Sequence, residues 1–140
     1  MKTMLVFSLF LLASGFAMAQ QDQAPRPIAP YSPFIKAGNT YYLAGQIPID
    51  PETGELVRDD IRKATRVVME NIGRILKQNG LDYSNIVKCT VYLKNLDHYQ
   101  AMNEVYGSFF AGRYPARVAV QVARLPLDAD IEIASIAVKE

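Results

Sequence analysis

The strongest constraint on the fold is a change of hydrophobic period between residues 59 and 93. Apolar residues first recur every three or four positions, which predicts an amphipathic helix with one buried face. Asp59 or Asp60 can cap its start, and Asn79-Gly80 ends it. From residue 86 the period becomes two, which predicts a strand buried on one face. The helical stripe is Ile61, Ala64, Val68, Ile72, Ile75 and Leu76, and the buried strand face is Val87, Cys89, Val91 and Leu93.

Four more strands and a second helix complete the predicted domain. Gly38-Asn39 is typical of a hairpin turn, and Asp97 can cap the second helix. The resulting order predicts an α+β domain in which a mixed sheet carries both helices on one face. Apolar residues on the other face predict a homo-oligomer. The strands are residues 34–36, 40–44, 117–122 and 131–138, and the buried side of the second helix is Tyr99, Met102, Tyr106, Phe109 and Phe110.

The first nineteen residues have the layout of a cleavable signal peptide. Lys2 is positive, residues 4–12 are apolar, and Ala17-Met18-Ala19 supplies small residues at the cleavage site. The apolar run is shorter than the roughly 20 residues of a membrane span, and a buried helix is the alternative interpretation. We therefore expect export to the periplasm or beyond the cell, with residues 20–140 forming a single mature domain.

Charge and cysteine content limit the expected partners. The chain has 15 basic and 14 acidic residues, and Lys2 is the only charged residue of the predicted signal peptide, so the mature domain is neutral. A neutral domain lacks the positive field that attracts nucleic acid or an anionic membrane, and we expect neither as a partner. Cys89 is the only cysteine, so no internal disulfide can form. The sequence contains no pattern of metal ligands.

Two charged residues in the last strands form the candidate functional pair. Arg117 shares a strand face with Ala119, and Glu132 shares one with Ala134, so each has a small neighbour that leaves room for a ligand. Should the two strands pair as a hairpin with Arg117 opposite Glu132, both side chains point the same way. The strands can instead be separated. A surface salt bridge, which contributes little to stability, is the alternative interpretation of the pair.

A series of short motifs resembles those of the RidA/YjgF family. The motifs follow the family order and span nearly all of the chain after residue 19. Near the C-terminus they are Pro115-Ala116-Arg117, Val120-x-Val122-Ala123-Arg124-Leu125-Pro126, Ile131-Glu132-Ile133 and Ile136-Ala137-Val138. Upstream they are Ala29-Pro30-Tyr31, Ala44-Gly45-Gln46-Ile47-Pro48, Thr53-Gly54-Glu55, residues 87–91 and residues 102–110.

The resemblance implies a chorismate-mutase-like α+β fold, assembled as a homotrimer with ligand clefts between subunits. It also implies a hydrolase of the 2-iminobutanoate/2-iminopropanoate deaminase type, which converts reactive imino or enamine acids to 2-keto acids and ammonia with no metal or organic cofactor. The implied catalytic residues are Arg117, whose guanidinium fork matches a carboxylate, and Glu132, which holds a water and relays a proton. The implied substrate-binding residues are Tyr31, Gly45, Asn103 and Ala119.

Two positions depart from many members of that family. Ala44 stands where serine is common, and Ala119 where cysteine or another small polar residue is common. Loss of two polar groups favours an apolar substrate side chain or lowers the activity. Two other functions stay open for the same fold: a non-catalytic module that binds small carboxylates, and a holdase-like partner protein that acts through its oligomer surface.

Overall fold

The computed structural model describes Pro27 and residues 29–140. Within these residues the chain forms one five-stranded sheet and two α-helices. The elements are β1 Phe34–Ala37, β2 Thr40–Gln46, α1 Ile61–Gln78, β3 Ile86–Leu93, α2 Tyr99–Gly107, β4 Ala116–Gln121 and β5 Ile131–Val138. Short 3₁₀ turns lie at Tyr83–Asn85, Leu96–His98 and Pro126–Asp128. The predicted signal peptide, residues 1–19, lies outside the described residues.

The sheet has the order β1-β2-β5-β3-β4. Neighbouring strands are antiparallel except β3 and β4, which are parallel and joined through α2. Both helices contribute to one core cluster with the inner side chains of the sheet. The predicted fold class, a mixed sheet with two helices on one face, is therefore confirmed. Among the described residues no helix is both long and apolar enough to cross a membrane.

The α1 helix forms where the periodicity predicts it. Asp60 is its N-cap, and the Asp60 carboxylate accepts a hydrogen bond from the Lys63 backbone N–H at 3.0 Å. Asn79 closes the C-terminal end. Of the predicted stripe, Ile61 is partly buried and packs against the core, and the other five residues are at most 1% exposed. The hydrophobic stripe thus accounts for the docking of α1 on the sheet.

The hairpin between β1 and β2 also agrees with its turn signal. Ala37 pairs with Thr40, which leaves Gly38 and Asn39 as a two-residue turn. Gly38 has a φ of 60°, in the left-handed region that a residue without a side chain enters at little cost.

The predicted buried face of β3 is wrong at its first residue, Val87, which is 39% exposed. Ile86 pairs with Ala137 whereas Lys88 pairs with Ile136, so Val87 is the extra residue of a β-bulge. The bulge turns Val87 away from the helices, and Ile86 is buried instead. From Cys89 onward the strand alternates as predicted.

The start of α2 also differs from the prediction. Asn95, and not Asp97, supplies the cap: its side-chain oxygen accepts a hydrogen bond from the Asp97 N–H at 2.9 Å and begins the 3₁₀ turn that leads into α2. Tyr99, predicted to be buried, is 41% exposed, whereas Met102 and Tyr106 are buried. The extra turn moves the helix start, so Tyr99 lies at its exposed first position.

The last two strands do not form a hairpin, because β3 lies between them. Arg117 pairs with Cys89 on β3, and Glu132 pairs with Tyr92 on the same strand. β5 is antiparallel to both β2 and β3 and fills the centre of the sheet, while β4 takes the outer edge. The pairing of Arg117 with Glu132 is therefore wrong, and the separated arrangement is the one observed.

The sheet face turned away from the helices carries exposed apolar side chains. Ile35 is 57% exposed and Val118 is 47% exposed, and Val120 belongs to the same face. Such a surface is typical of an interface between protein chains. The homo-oligomer itself stays a prediction.

Candidate functional site

Arg117 projects from the edge strand β4 toward the helices. Its strand partner Cys89 is fully buried in the core, and residues paired across a sheet share a face. The Arg117 Nη2 donates a hydrogen bond to the Tyr99 hydroxyl at 3.1 Å. The guanidinium carbon lies 4.8 Å from the centre of the Tyr106 ring and 5.6 Å from that of Tyr99, within the range of cation–π attraction.

A pocket of about 380 Å³ opens beside this guanidinium. Arg117 and Asn103 both line it, with Tyr106, Gly107, Tyr114 and Pro115. The Asn103 Oδ1 is buried and has no hydrogen-bond partner among the described residues, so it is an acceptor available to a ligand. We call Arg117 and Asn103 the arginine half-site. Ala119 lies on the same face of β4 and packs partly against the core.

The described surroundings of Arg117, residues 29–140, leave its positive charge without a counter-ion. Burial, and then contact with the Cys89 thiol, raises the pKa of Tyr106, so its hydroxyl is neutral at physiological pH. Burial likewise raises the pKa of the Cys89 thiol. Within the described residues Arg117 forms no salt bridge. An unneutralised guanidinium beside a pocket favours an anionic ligand, and a planar carboxylate matches its fork.

Glu132 lies against a bulge in β2. Two residues of β2, Ala44 and Gly45, stand opposite the single residue Ala134 of β5. A Cβ atom added to Gly45 would lie 2.8 Å from the Glu132 Cδ, so any side chain there would displace the carboxylate. Glycine is thus required for the close approach. We call Glu132 and Gly45 the glutamate half-site.

Tyr31 lies upstream of this bulge and is 44% exposed. The Ala44 N–H donates a hydrogen bond to the Pro33 carbonyl at 2.9 Å, which ties the segment just after Tyr31 to the start of the bulge. The chain thus leads from Tyr31 to the bulge that contains Gly45, and substrate binding by Tyr31 stays a prediction.

The two half-sites lie on opposite faces of the sheet. Ile131 and Ile133, on either side of Glu132, are fully buried on the helix side, so Glu132 points away from the helices. Arg117 points toward them. The structure therefore brings Arg117 together with Asn103, and Glu132 together with Gly45, but it does not place both charged residues in one cavity of a single protomer.

Burial changes the acidity of Glu132. Partial desolvation raises the pKa of this carboxyl above its ordinary value of 4.5. The neutral form is therefore favoured by folding: the gain in stability is present at low pH and is lost as the pH rises through the raised pKa. A carboxyl with a raised pKa exchanges protons more readily near neutral pH, as a proton relay requires.

Sequence reasoning missed the two tyrosines that hold Arg117. Tyr99, Asn103 and Tyr106 follow the spacing i, i+4, i+7, which places them on one face of α2. That spacing is visible in the sequence, but assignment of Tyr99 to the buried core concealed its role. Across Pro27 and residues 29–140 no group of three or more histidine, cysteine, aspartate or glutamate side chains is arranged to hold a metal ion.

The chain is similar to known proteins over most of its length. The family model described as Endoribonuclease L-PSP matches residues 21–139. A RutC family protein of Pyrococcus horikoshii is 55% identical over 119 residues, which cover 85% of this chain and 94% of that protein. The 2-iminobutanoate/2-iminopropanoate deaminase of Mus musculus is 40% identical over 117 residues, which cover 84% of this chain and 87% of the relative. The crystal structure of E. coli TdcF with bound serine has a TM-score of 0.81 at 39% identity and covers 85% and 95% of the two chains.

Proposed function

The chain belongs to the Endoribonuclease L-PSP family, which includes the RutC and RidA/YjgF proteins, and from that premise we propose that it hydrolyses 2-imino acids to 2-keto acids and ammonia. The deaminase name of a relative 40% identical supports this reaction class. The observation that carries the proposal is the Arg117 guanidinium, which borders a pocket and has no counter-ion among residues 29–140. That geometry suits a small substrate with a carboxylate.

Substrate binding uses the arginine half-site. The guanidinium donates two parallel hydrogen bonds to the substrate carboxylate. The Asn103 Oδ1 accepts a hydrogen bond from the imine N–H, which satisfies its otherwise unpaired oxygen. These contacts orient the C=N bond, and orientation is a large part of catalysis for a reaction that already proceeds in water.

Hydrolysis uses the glutamate half-site. The Glu132 carboxylate holds a water molecule and takes its proton as the water oxygen bonds to the imine carbon. The same proton passes to the nitrogen and gives a carbinolamine that carries a hydroxyl and an NH2 group. The hydroxyl proton then passes to the amine through Glu132, the C–N bond breaks, and ammonia leaves as the C=O bond forms. One imino acid and one water thus give one keto acid and one ammonia.

We propose a small apolar side chain for the substrate. Ala44 precedes Gly45 in the bulge, and Ala119 shares the face of Arg117 on β4. Neither methyl group can hydrogen-bond a hydroxyl or an amide on the substrate, so a polar side chain would be desolvated without compensation.

We further propose that a homotrimer completes the site. Arg117 and Glu132 lie on opposite faces of one sheet, so a substrate can reach both only where one protomer contributes the arginine half-site and its neighbour the glutamate half-site. A contact between two different surfaces closes into a ring when its rotation allows. The exposed apolar residues on the outer face of the sheet support such a contact.

The reaction is tested by generating 2-iminopropanoate with an amino-acid oxidase and following its decay. We expect acceleration above the uncatalysed rate, increasing with pH as Glu132 ionises, with a midpoint above 4.5 because burial raises its pKa. Glu132→Gln should remove this pH dependence together with most of the activity, without loss of thermal stability, because the carboxylate it replaces is desolvated. Decay that the protein leaves unchanged at every pH would overturn the proposed reaction.

We propose that the protein acts outside the cytoplasm, after cleavage following Ala19. The support is the sequence layout of residues 1–19. Expressed in a Gram-negative host, the full chain should be recovered from the periplasm with Gln20 as its first residue by intact-mass analysis. Ala17→Asp and Ala19→Asp should block cleavage, and an uncleaved wild-type chain in the cytoplasm would contradict the proposal.

A further inference from the structure

We propose that Tyr99 is a positioning residue for Arg117: its hydroxyl fixes the guanidinium in the orientation that receives the substrate carboxylate. The inference rests on the proposed function, in which Arg117 binds that carboxylate. Tyr99 is the first residue of α2, and its oxygen accepts the hydrogen bond from Arg117 Nη2 at 3.1 Å.

Arg117 needs such a restraint because of where it lies. It projects from β4, the edge strand, and a long arginine side chain loses rotamer entropy when it is held in one geometry. The Tyr106 ring restrains the guanidinium through one cation–π contact, and the Tyr99 ring adds a second. Neither ring contact fixes rotation of the guanidinium in its plane, whereas a hydrogen bond to a single oxygen does.

A phenol suits this task better than a carboxylate. A carboxylate at the position of the Tyr99 hydroxyl would neutralise the charge that attracts the substrate and would occupy the fork. The Tyr99 hydroxyl accepts one N–H and leaves the other four donors of the guanidinium to other partners. Two of those are enough for a bidentate substrate carboxylate.

The conservative variant Tyr99→Phe tests the hydroxyl alone, since it keeps the ring contact with Arg117. We expect the KM for 2-iminopropanoate to rise about three- to tenfold, with kcat within a factor of two, because an unrestrained guanidinium must be ordered when the carboxylate binds, and ordering one flexible side chain lowers affinity by about that factor. Affinity for pyruvate, measured by calorimetry, should fall by the same factor. Tyr42→Phe removes the hydroxyl of another exposed tyrosine, 50% exposed against 41% for Tyr99, from the other face of the sheet and should change neither value.

A double-mutant cycle separates positioning from a general structural effect. In the Arg117→Ala background, Tyr99→Phe should cause no further loss of pyruvate affinity, because the hydroxyl then has nothing to position. Three results would each overturn the inference. They are additive losses of pyruvate affinity in the cycle, an unchanged KM and pyruvate affinity in Tyr99→Phe, and a wild-type protein that does not bind pyruvate. A wild-type protein that binds pyruvate in a Tyr99-dependent manner but leaves 2-iminopropanoate unchanged would refute the proposed catalysis and leave the role of Tyr99 standing.

Discussion

Arg117→Ala is expected to lower kcat/KM for 2-iminopropanoate about 100-fold or more, because it removes two charge-assisted hydrogen bonds of about 1.5–3 kcal/mol each. The effect should be large because, within the part of the chain that the structure describes, Arg117 is the only arginine or lysine that lines its pocket. Most of the loss should appear in KM, and pyruvate binding should fall in parallel. Calorimetry and the imine-decay assay measure the two effects independently.

Two matched variants separate loss of the positive charge from loss of the guanidinium fork and from loss of any nearby arginine. Arg117→Lys keeps the charge but not the fork, so it should recover only part of the affinity. Arg113→Ala removes an exposed arginine four residues earlier and should leave binding unchanged. Circular dichroism melting would show whether Arg117→Ala is folded. Wild-type kinetics in a folded Arg117→Ala protein would remove the basis for the proposed function.

The parts of the fold that sequence predicted depend on local signals. The α1 stripe, its Asp60 cap and the Gly38 turn each involve residues within a few positions of one another, where helix geometry, capping and φ preferences act directly. The bulge at Val87 has no such signal, since it arises from how β3 meets β5 at a distant point in the chain. Strand β3 was therefore predicted correctly in extent and incorrectly at one side chain.

The arrangement of the last strands could not be derived from local pattern. Insertion of β5 between β2 and β3 depends on long-range contacts: antiparallel partners on both sides pair the backbone of β5, and its inner apolar side chains join the core cluster with the helices. Alternation correctly identified the face of Arg117 within β4 and that of Glu132 within β5. It could not relate the two faces to each other, because that relation depends on which strand lies between them.

The candidate site, like the fold, could be predicted from the sequence only in part. The resemblance to a family supplied Asn103 and Gly45, and the structure places each beside the charged residue it would serve. The contact between Tyr99 and Arg117 needed coordinates, since it joins a helix start to an edge strand 18 residues away. The separation of the two half-sites is the feature that most changes the interpretation, because it makes one protomer insufficient for the proposed reaction.

Mixing two inactive variants should therefore restore activity. Arg117→Ala lacks the arginine half-site and Glu132→Gln lacks the acid of the glutamate half-site, so each oligomer alone is inactive. In an oligomer that contains both variants, a cleft between the intact Arg117 of one protomer and the intact Glu132 of its neighbour is complete. With equal amounts and random assembly, about one cleft in four is complete, so about a quarter of the wild-type kcat should return.

The experiment is decisive because a site in which Arg117 and Glu132 of two protomers do not meet predicts no recovery of activity. Co-refolding the two variants and confirming mixed oligomers by native mass spectrometry gives the test sample. Mixing either variant with the Arg117→Ala/Glu132→Gln double variant is the control, and it should stay inactive because no cleft can then contain both residues. If mixed oligomers form but stay as inactive as the separate variants, Arg117 and Glu132 do not share a cleft, and a site composed of two protomers is wrong. Recovery requires that the guanidinium and the carboxylate meet across a subunit boundary, since no single chain in the mixture carries both.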